Sequence, residues 1–74
     1  MNDSFYLFAL KFRGSKGSEG AFAEAMFHDH SFPKHATTFS TLSSYIEDLA
    51  DDEMNAVTFD TLWSMYEEKY FSNY

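Results

Sequence analysis

The sequence predicts an all-α fold, a compact bundle of four main helices. In four separate stretches, apolar residues recur at three- and four-residue spacing, the period at which a helix presents one face. No stretch shows the apolar–polar alternation and β-branched enrichment of a strand, and the chain holds a single Val and a single Ile. The third observation is aromatic content: 9 Phe, 5 Tyr and 1 Trp in 74 residues. At that length, read as one domain over residues 1–74, folding buries only roughly 60% of the unfolded chain's surface. Aromatic side chains bury about 150–250 Å² each, so a few of them suffice for a small core.

The first helix is expected from about Ser4 to Arg13. Asp3 or Ser4 can cap its free N–H groups, and Gly14 can end it. Phe5, Phe8, Ala9 and Phe12 share one face; Tyr6, Leu7 and Leu10 widen it, which places this helix at the centre of the bundle. "GSKGS", residues 14–18, reads as a flexible turn. It resembles a phosphate loop only in composition, because the Gly-Lys-Ser/Thr ending after a strand is missing. The second helix is expected from about Glu19 to His28 with Ser18 as its cap, and Phe22, Ala25 and Met26 form its inward stripe. Pro33 denies the α conformation to Phe32 and closes off any helix before it. The third helix runs from Ser40 or Thr41 to about Ala50, capped by Thr38 or Ser40, with Leu42, Tyr45, Ile46 and Leu49 at i, i+3, i+4 and i+7. The acidic connection "ADDEMNAV" leaves room for one short helical turn at 51–56, capped by Asp51 or Asp52. The last helix follows Thr58 and continues to about Tyr70, with Phe59, Leu62, Trp63, Tyr66 and Tyr70 on one stripe. Asp60 in its first turn and Lys69 in its last suit the helix dipole.

Composition excludes several functions. Cysteine is absent, which removes disulfides, thiolate zinc sites and cysteine nucleophiles. No run approaches the roughly 18 apolar residues of a membrane span, and the N-terminus lacks the features of a secretory leader. A cytoplasmic protein is expected. The net charge is −7 and unevenly placed. Residues 1–40 carry Lys11, Arg13, Lys16 and Lys34 against four acidic groups, whereas residues 41–74 carry Lys69 against eight. Phosphate backbones are bound chiefly by Lys and Arg, so the C-terminal half would repel nucleic acid.

Specific words stand out once the helices are placed. "SFYLFALKFR", "FAEAMFHDHSFPKH", "LSSYIEDLA" and "TFDTLWSMYEEKY" span nearly the whole chain. Their most specific pieces are Asp29-His30-Ser31-Phe32-Pro33-Lys34, Ser43-Ser44-Tyr45, and Thr58-Phe59-Asp60 followed by Trp63 and Tyr66. With these words the chain resembles the YozE-like family, small proteins of Gram-positive bacteria with a SAM-like helical fold. The chain departs from the family in the "GSKGS" loop, where relatives often carry proline and more charge. It also departs at Thr61 and Leu62, where they often have an acidic and a small residue. Both differences touch loop shape and packing rather than fold. The resemblance implies no established activity, and a shared fold does not confer one.

The chemistry-bearing residues concentrate in "FHDHSFPKH", residues 27–35. Three His and Asp29 are ligand types for a catalytic zinc. His28 and His30 are two residues apart, however, and such residues on a helix face different sides. The structural reading makes them polar loop residues, with Asp29 accepting backbone N–H bonds where the second helix ends and Phe32 plugging the core. The functional reading makes the same corner a docking surface composed of Asp29, His30, Phe32, Pro33 and Lys34, with Lys11 and Arg13. Ser31, His30 and Asp29 are triad types, but adjacent residues rarely reach triad geometry. A bundle this small also lacks room for a pocket of roughly 300 Å³. No enzyme activity, cofactor or metal is therefore expected. The leading expectation is an interaction module for an unknown protein partner or for itself. The alternative is nucleic-acid binding through Lys11, Arg13, Lys16, Lys34 and the histidines, or its inverse, DNA mimicry by the acidic half. The Trp63–Tyr66 stripe could stack bases, but at helical spacing it reads as core. Tyr70, Phe71 and Tyr74 exceed the needs of one inward stripe and form a candidate contact patch.

Overall fold

The computed structural model of the chain describes residues 4–71, without the side chain of Phe71. Asp3, Tyr74 and the Phe71 side chain, each named above, lie outside the described residues. Four helices follow in order: α1 Phe5–Leu10, α2 Ser18–His28, α3 Phe39–Leu49 and α4 Ala56–Phe71. Among the described residues there is no strand, and no helix is long and apolar enough to cross a membrane.

Local chemistry explains the boundaries, including those that differ from expectation. Ser4 caps α1, its Oγ accepting from the Leu7 N–H at 3.3 Å. The helix then tightens instead of running regularly to Arg13. The N–H groups of Lys11, Phe12 and Arg13 each donate three residues back, at 3.2, 3.0 and 3.1 Å, the pattern of a 3₁₀-like last turn. Gly14 and Gly17 follow with φ of 85° and 87°, backbone that favours glycine. Ser18 was expected as the cap of α2, but Gly17 stands at that position with no side-chain bond. α3 begins at Phe39, earlier than expected, and its N-cap Thr38 donates its hydroxyl to Thr41 Oγ1 at 2.9 Å rather than capping the backbone. α4 begins at Ala56, ahead of Thr58, because Asn55 Oδ1 accepts from the Thr58 N–H at 2.8 Å and so supplies the cap. The expected helical turn at 51–56 is a bend instead. Asp51 Oδ2 accepts from the N–H groups of Glu53 and Met54 at 3.0 and 2.9 Å, an Asx-type turn that delivers Met54 into the core.

The sequence placed α1 at the centre, but α4 is the helix that packs against all three others; α1 packs against α2 and α4. The core joins Phe5, Phe8, Phe22, Met26, Phe32, Leu42, Ile46, Met54, Phe59, Leu62 and Tyr66. Phe5 lies wholly buried against the rings of Phe22, Phe59, Trp63 and Tyr66, with centroids 5.3–6.3 Å apart. Leu7, expected on the inward face, is 50% exposed, and Leu49 is exposed as well. α1 has only six helical residues; of the wider stripe, Tyr6 is buried against Phe32 and Leu10 packs on the core, and Leu7 alone is left uncovered.

Gly20 is buried in the first turn of α2. A Cβ built there would lie 1.8 Å from the Ser15 carbonyl oxygen, so the backbone of the 14–18 loop rests directly on the helix. Gly20→Ala is expected to destabilise the fold by about 2–3 kcal/mol through this backbone overlap, measured by chemical denaturation. Unchanged stability would mean that the loop does not pack there.

Candidate functional site

The corner after α2 is built on Asp29. This residue ends the helix in extended backbone, with φ −91° and ψ 104°. Its Oδ1 accepts from the Ser31 N–H at 3.0 Å, and its Oδ2 accepts from the Tyr45 hydroxyl of α3. The Asp29 carbonyl accepts from the Phe32 N–H at 3.3 Å. One side chain thus closes the turn and ties it to the next helix. Phe32 is only 4% exposed, with its ring 5.7 Å from Tyr6 and 5.5 Å from Tyr45. Pro33 is half-buried, and its carbonyl accepts from the Ala36 N–H at 3.2 Å. The corner is therefore packed at Phe32 and displays only His30, Ser31, Lys34 and His35.

The cations named with this corner are each engaged. Lys34 Nζ lies 5.7 Å from the Tyr6 ring, and Lys11 Nζ 5.8 Å from the Phe8 ring. The Arg13 guanidinium carbon sits 3.7 Å from the Phe27 ring centroid, within cation–π range. Its Nε also meets Glu24 Oε2 at 3.2 Å. The other oxygen of Glu24 is 3.6 Å from His28 Nε2. Arg13, Glu24, Phe27 and His28 form one exposed cluster in which the carboxylate and the ring already serve the arginine.

The triad types do not assemble as a relay, since Asp29 binds the Ser31 backbone and the Tyr45 hydroxyl. Among the described residues, no three His, Asp or Glu side chains are grouped to hold a metal ion. Burial, then the Asp29 hydrogen bond and its negative charge, push the Tyr45 phenol up to about 12. A phenol at that value keeps its proton and donates a hydrogen bond to Asp29, which is a structural task.

One surface feature was not anticipated. Phe39 is 44% exposed, yet its ring stacks on Phe59 at 5.6 Å and lies in a T-shaped contact with Trp63 at 5.6 Å. Trp63 itself is half-buried, not fully core. Phe39 lies between two good capping residues, just outside the expected helix, so no stripe included it. The signal that could have found it is its spacing: Phe39 stands three residues before Leu42 and seven before Ile46.

Removing the Tyr45 hydroxyl (Tyr45→Phe) is expected to cost about 1–2 kcal/mol, because Asp29 loses a donor in a half-buried setting. The pH dependence has a definite sign. The phenol's pKa is higher in the folded protein than its ordinary value of 10.0, so the neutral hydroxyl contributes fully below pH 10. That contribution is lost as pH rises towards 12. Denaturation at pH 9 and at pH 11.5 should show the gap between wild type and Tyr45→Phe closing; a constant gap would refute the pairing.

Comparison with known proteins agrees with this architecture. The family model described as the YozE SAM-like fold matches residues 4–68. A Staphylococcus haemolyticus protein is 49% identical over 65 residues, covering 88% of this chain and 89% of its own. A Staphylococcus epidermidis protein is 45% identical over 67 residues, 90% of each chain. One from Staphylococcus aureus is 42% identical over 67 residues, 90% of this chain and 92% of its own. All three bear the name UPF0346 protein, which assigns no activity. No solved structure matches the chain at a significant level. The family-model match over residues 4–68 and these relatives place the chain in the YozE SAM-like family.

Proposed function

We propose that this chain is a small cytoplasmic interaction module that works by docking a protein partner, without catalysis. The observation that carries this reading is apolar surface: besides Phe39, the side chains of Phe27, Leu7, Leu49 and Val57 are exposed, while the core beneath them is filled by other residues. Scattered apolar residues are ordinary on a surface, but aromatic side chains grouped beside charge mark contact sites. Two further facts support docking. Both carboxylate oxygens of Asp29 are used by the fold itself, which leaves that residue little part in chemistry. The excess of acidic groups in residues 41–74 also supplies a field that would steer a basic partner. Direct nucleic-acid binding has less support, because the net charge is −7 and the Arg13 charge is already partly compensated by Glu24.

The test is affinity capture from a lysate of the source organism, with and without nuclease, read by mass spectrometry. A specific protein enriched in both arms is the expected outcome. Enrichment that disappears with nuclease would replace this reading with nucleic-acid binding, and a measurable turnover of any captured small molecule would overturn the non-catalytic part.

A further inference from the structure

Two exposed aromatic faces compete as the docking surface, and they differ in charge. Phe27 is already covered by the Arg13 guanidinium at 3.7 Å, with Glu24 beside it, so that face carries a cation of its own. The other face is built by Phe39 at the start of α3 and Trp63 on α4. The two rings contact each other and both contact Phe59, which anchors them to the core. Asp60 and Glu67 stand one helical turn before and one turn after Trp63, and both are exposed. At that spacing their side chains neighbour the indole on the helix surface. Glu47, two turns after Phe39 on α3, is exposed too. Lys69 is six residues past Trp63, which turns it away from this face, and its Nζ lies over Tyr70.

We propose that the Phe39–Trp63 face, rimmed by Asp60 and Glu67, docks a partner-protein segment in which Lys or Arg side chains flank an apolar one. This rests on the interaction-module reading and assigns it a surface and a partner chemistry. The apolar side chain covers the exposed ring of Phe39, removing it from water. The flanking cations reach the two carboxylates and the face of Trp63, the best of the aromatic rings for binding a cation. Carboxylates beside apolar surface disfavour acidic segments, so the same rim supplies selectivity as well as attraction.

Trp63 is the only Trp in the chain, so tryptophan emission reports on this face and on the core rings of Phe5 and Tyr66 that the indole also touches. The first experiment titrates the protein with a synthetic amphipathic peptide of Lys and Leu. Saturable binding with a shift in Trp63 emission is expected. Asp60→Asn combined with Glu67→Gln should weaken it about fivefold, the combined size of two exposed ion pairs. Phe39→Ser should weaken it as well, while the equal charge change Asp48→Asn with Glu53→Gln should leave affinity nearly unchanged. Equal weakening by both double variants would mean diffuse charge attraction and would overturn the proposal, as would an unchanged Trp63 emission at saturation. The second experiment places a benzophenone photo-crosslinking side chain at position 40, beside Phe39, or at position 28, beside Phe27, in cells of the source organism. Crosslinks from position 40 to a Lys- or Arg-rich protein segment support the proposal. Crosslinks from position 28 alone, to another copy of this chain, or to an acidic segment overturn it while leaving an interaction module standing. Crosslinks from neither position would sink both.

Discussion

The buried ring of Phe5 is the constraint on which the rest of this fold depends. Its contacts with Phe22, Phe59, Trp63 and Tyr66 join the first helix to the second and fourth in a single aromatic cluster. A chain of 74 residues without cysteine has no disulfide or thiolate metal site to limit its unfolded state, so burial must hold it together. Edge-to-face aromatic pairs contribute roughly 0.5–1.5 kcal/mol each beyond the area they bury. Several of them meeting on one ring therefore offset much of the handicap of small size. The short first helix would be marginal in isolation; it persists because Phe5 and its neighbours anchor it to α4.

The polar chemistry of the molecule serves the same end. Asp29 is the residue that an active-site reading would nominate, flanked as it is by His30 and Ser31. Its two oxygens instead close a turn and hold the Tyr45 hydroxyl. That tie positions Phe32 between Tyr6 and Tyr45 and fixes the path from α2 to α3. Asp51 and Asn55 do similar work before α4, one shaping the bend that buries Met54 and the other capping the helix. The carboxylates and amides that look chemically active are largely substitutes for regular hydrogen bonding where the backbone leaves a helix. Phe39, Phe27 and the acidic side chains of α3 and α4 stand on the outer surface, where the docking proposed above would take place.

The number and order of the helices were legible in the sequence, because apolar spacing at the helical period dictates which residues can share a buried face. Phe32 was readable either as a core plug or as part of a docking surface, because Pro33 removes the helical alternative without deciding burial; at 4% exposure against Tyr6 and Tyr45 it is the plug and not surface. Asp29 as a turn acceptor followed from its place at a helix end. Capping was less legible. Ser18 and Thr38 are good caps by type, yet Gly17 and a Thr38–Thr41 hydroxyl pair occupy those positions, and capping depends on backbone angles that residue type alone does not supply.

Tertiary packing alone decided the remainder. Leu7 and Phe39 show why: periodicity marks an apolar stripe but not how much of it a neighbouring helix reaches. Leu7 is exposed because α2 and α4 meet the other side of α1, and Phe39 is half-covered because Phe59 and Trp63 reach only part of its ring. Gly20 is silent in the sequence, since its need for a missing Cβ comes from Ser15, whose carbonyl the chain folds back onto the helix. The Tyr45–Asp29 bond spans sixteen residues, and no local pattern links its partners. The sequence by itself determined four helices, their apolar faces and the absence of cysteine chemistry, because those follow from local period and composition. Which faces meet, and which aromatic rings remain in water, depends on how the helices dock against α4.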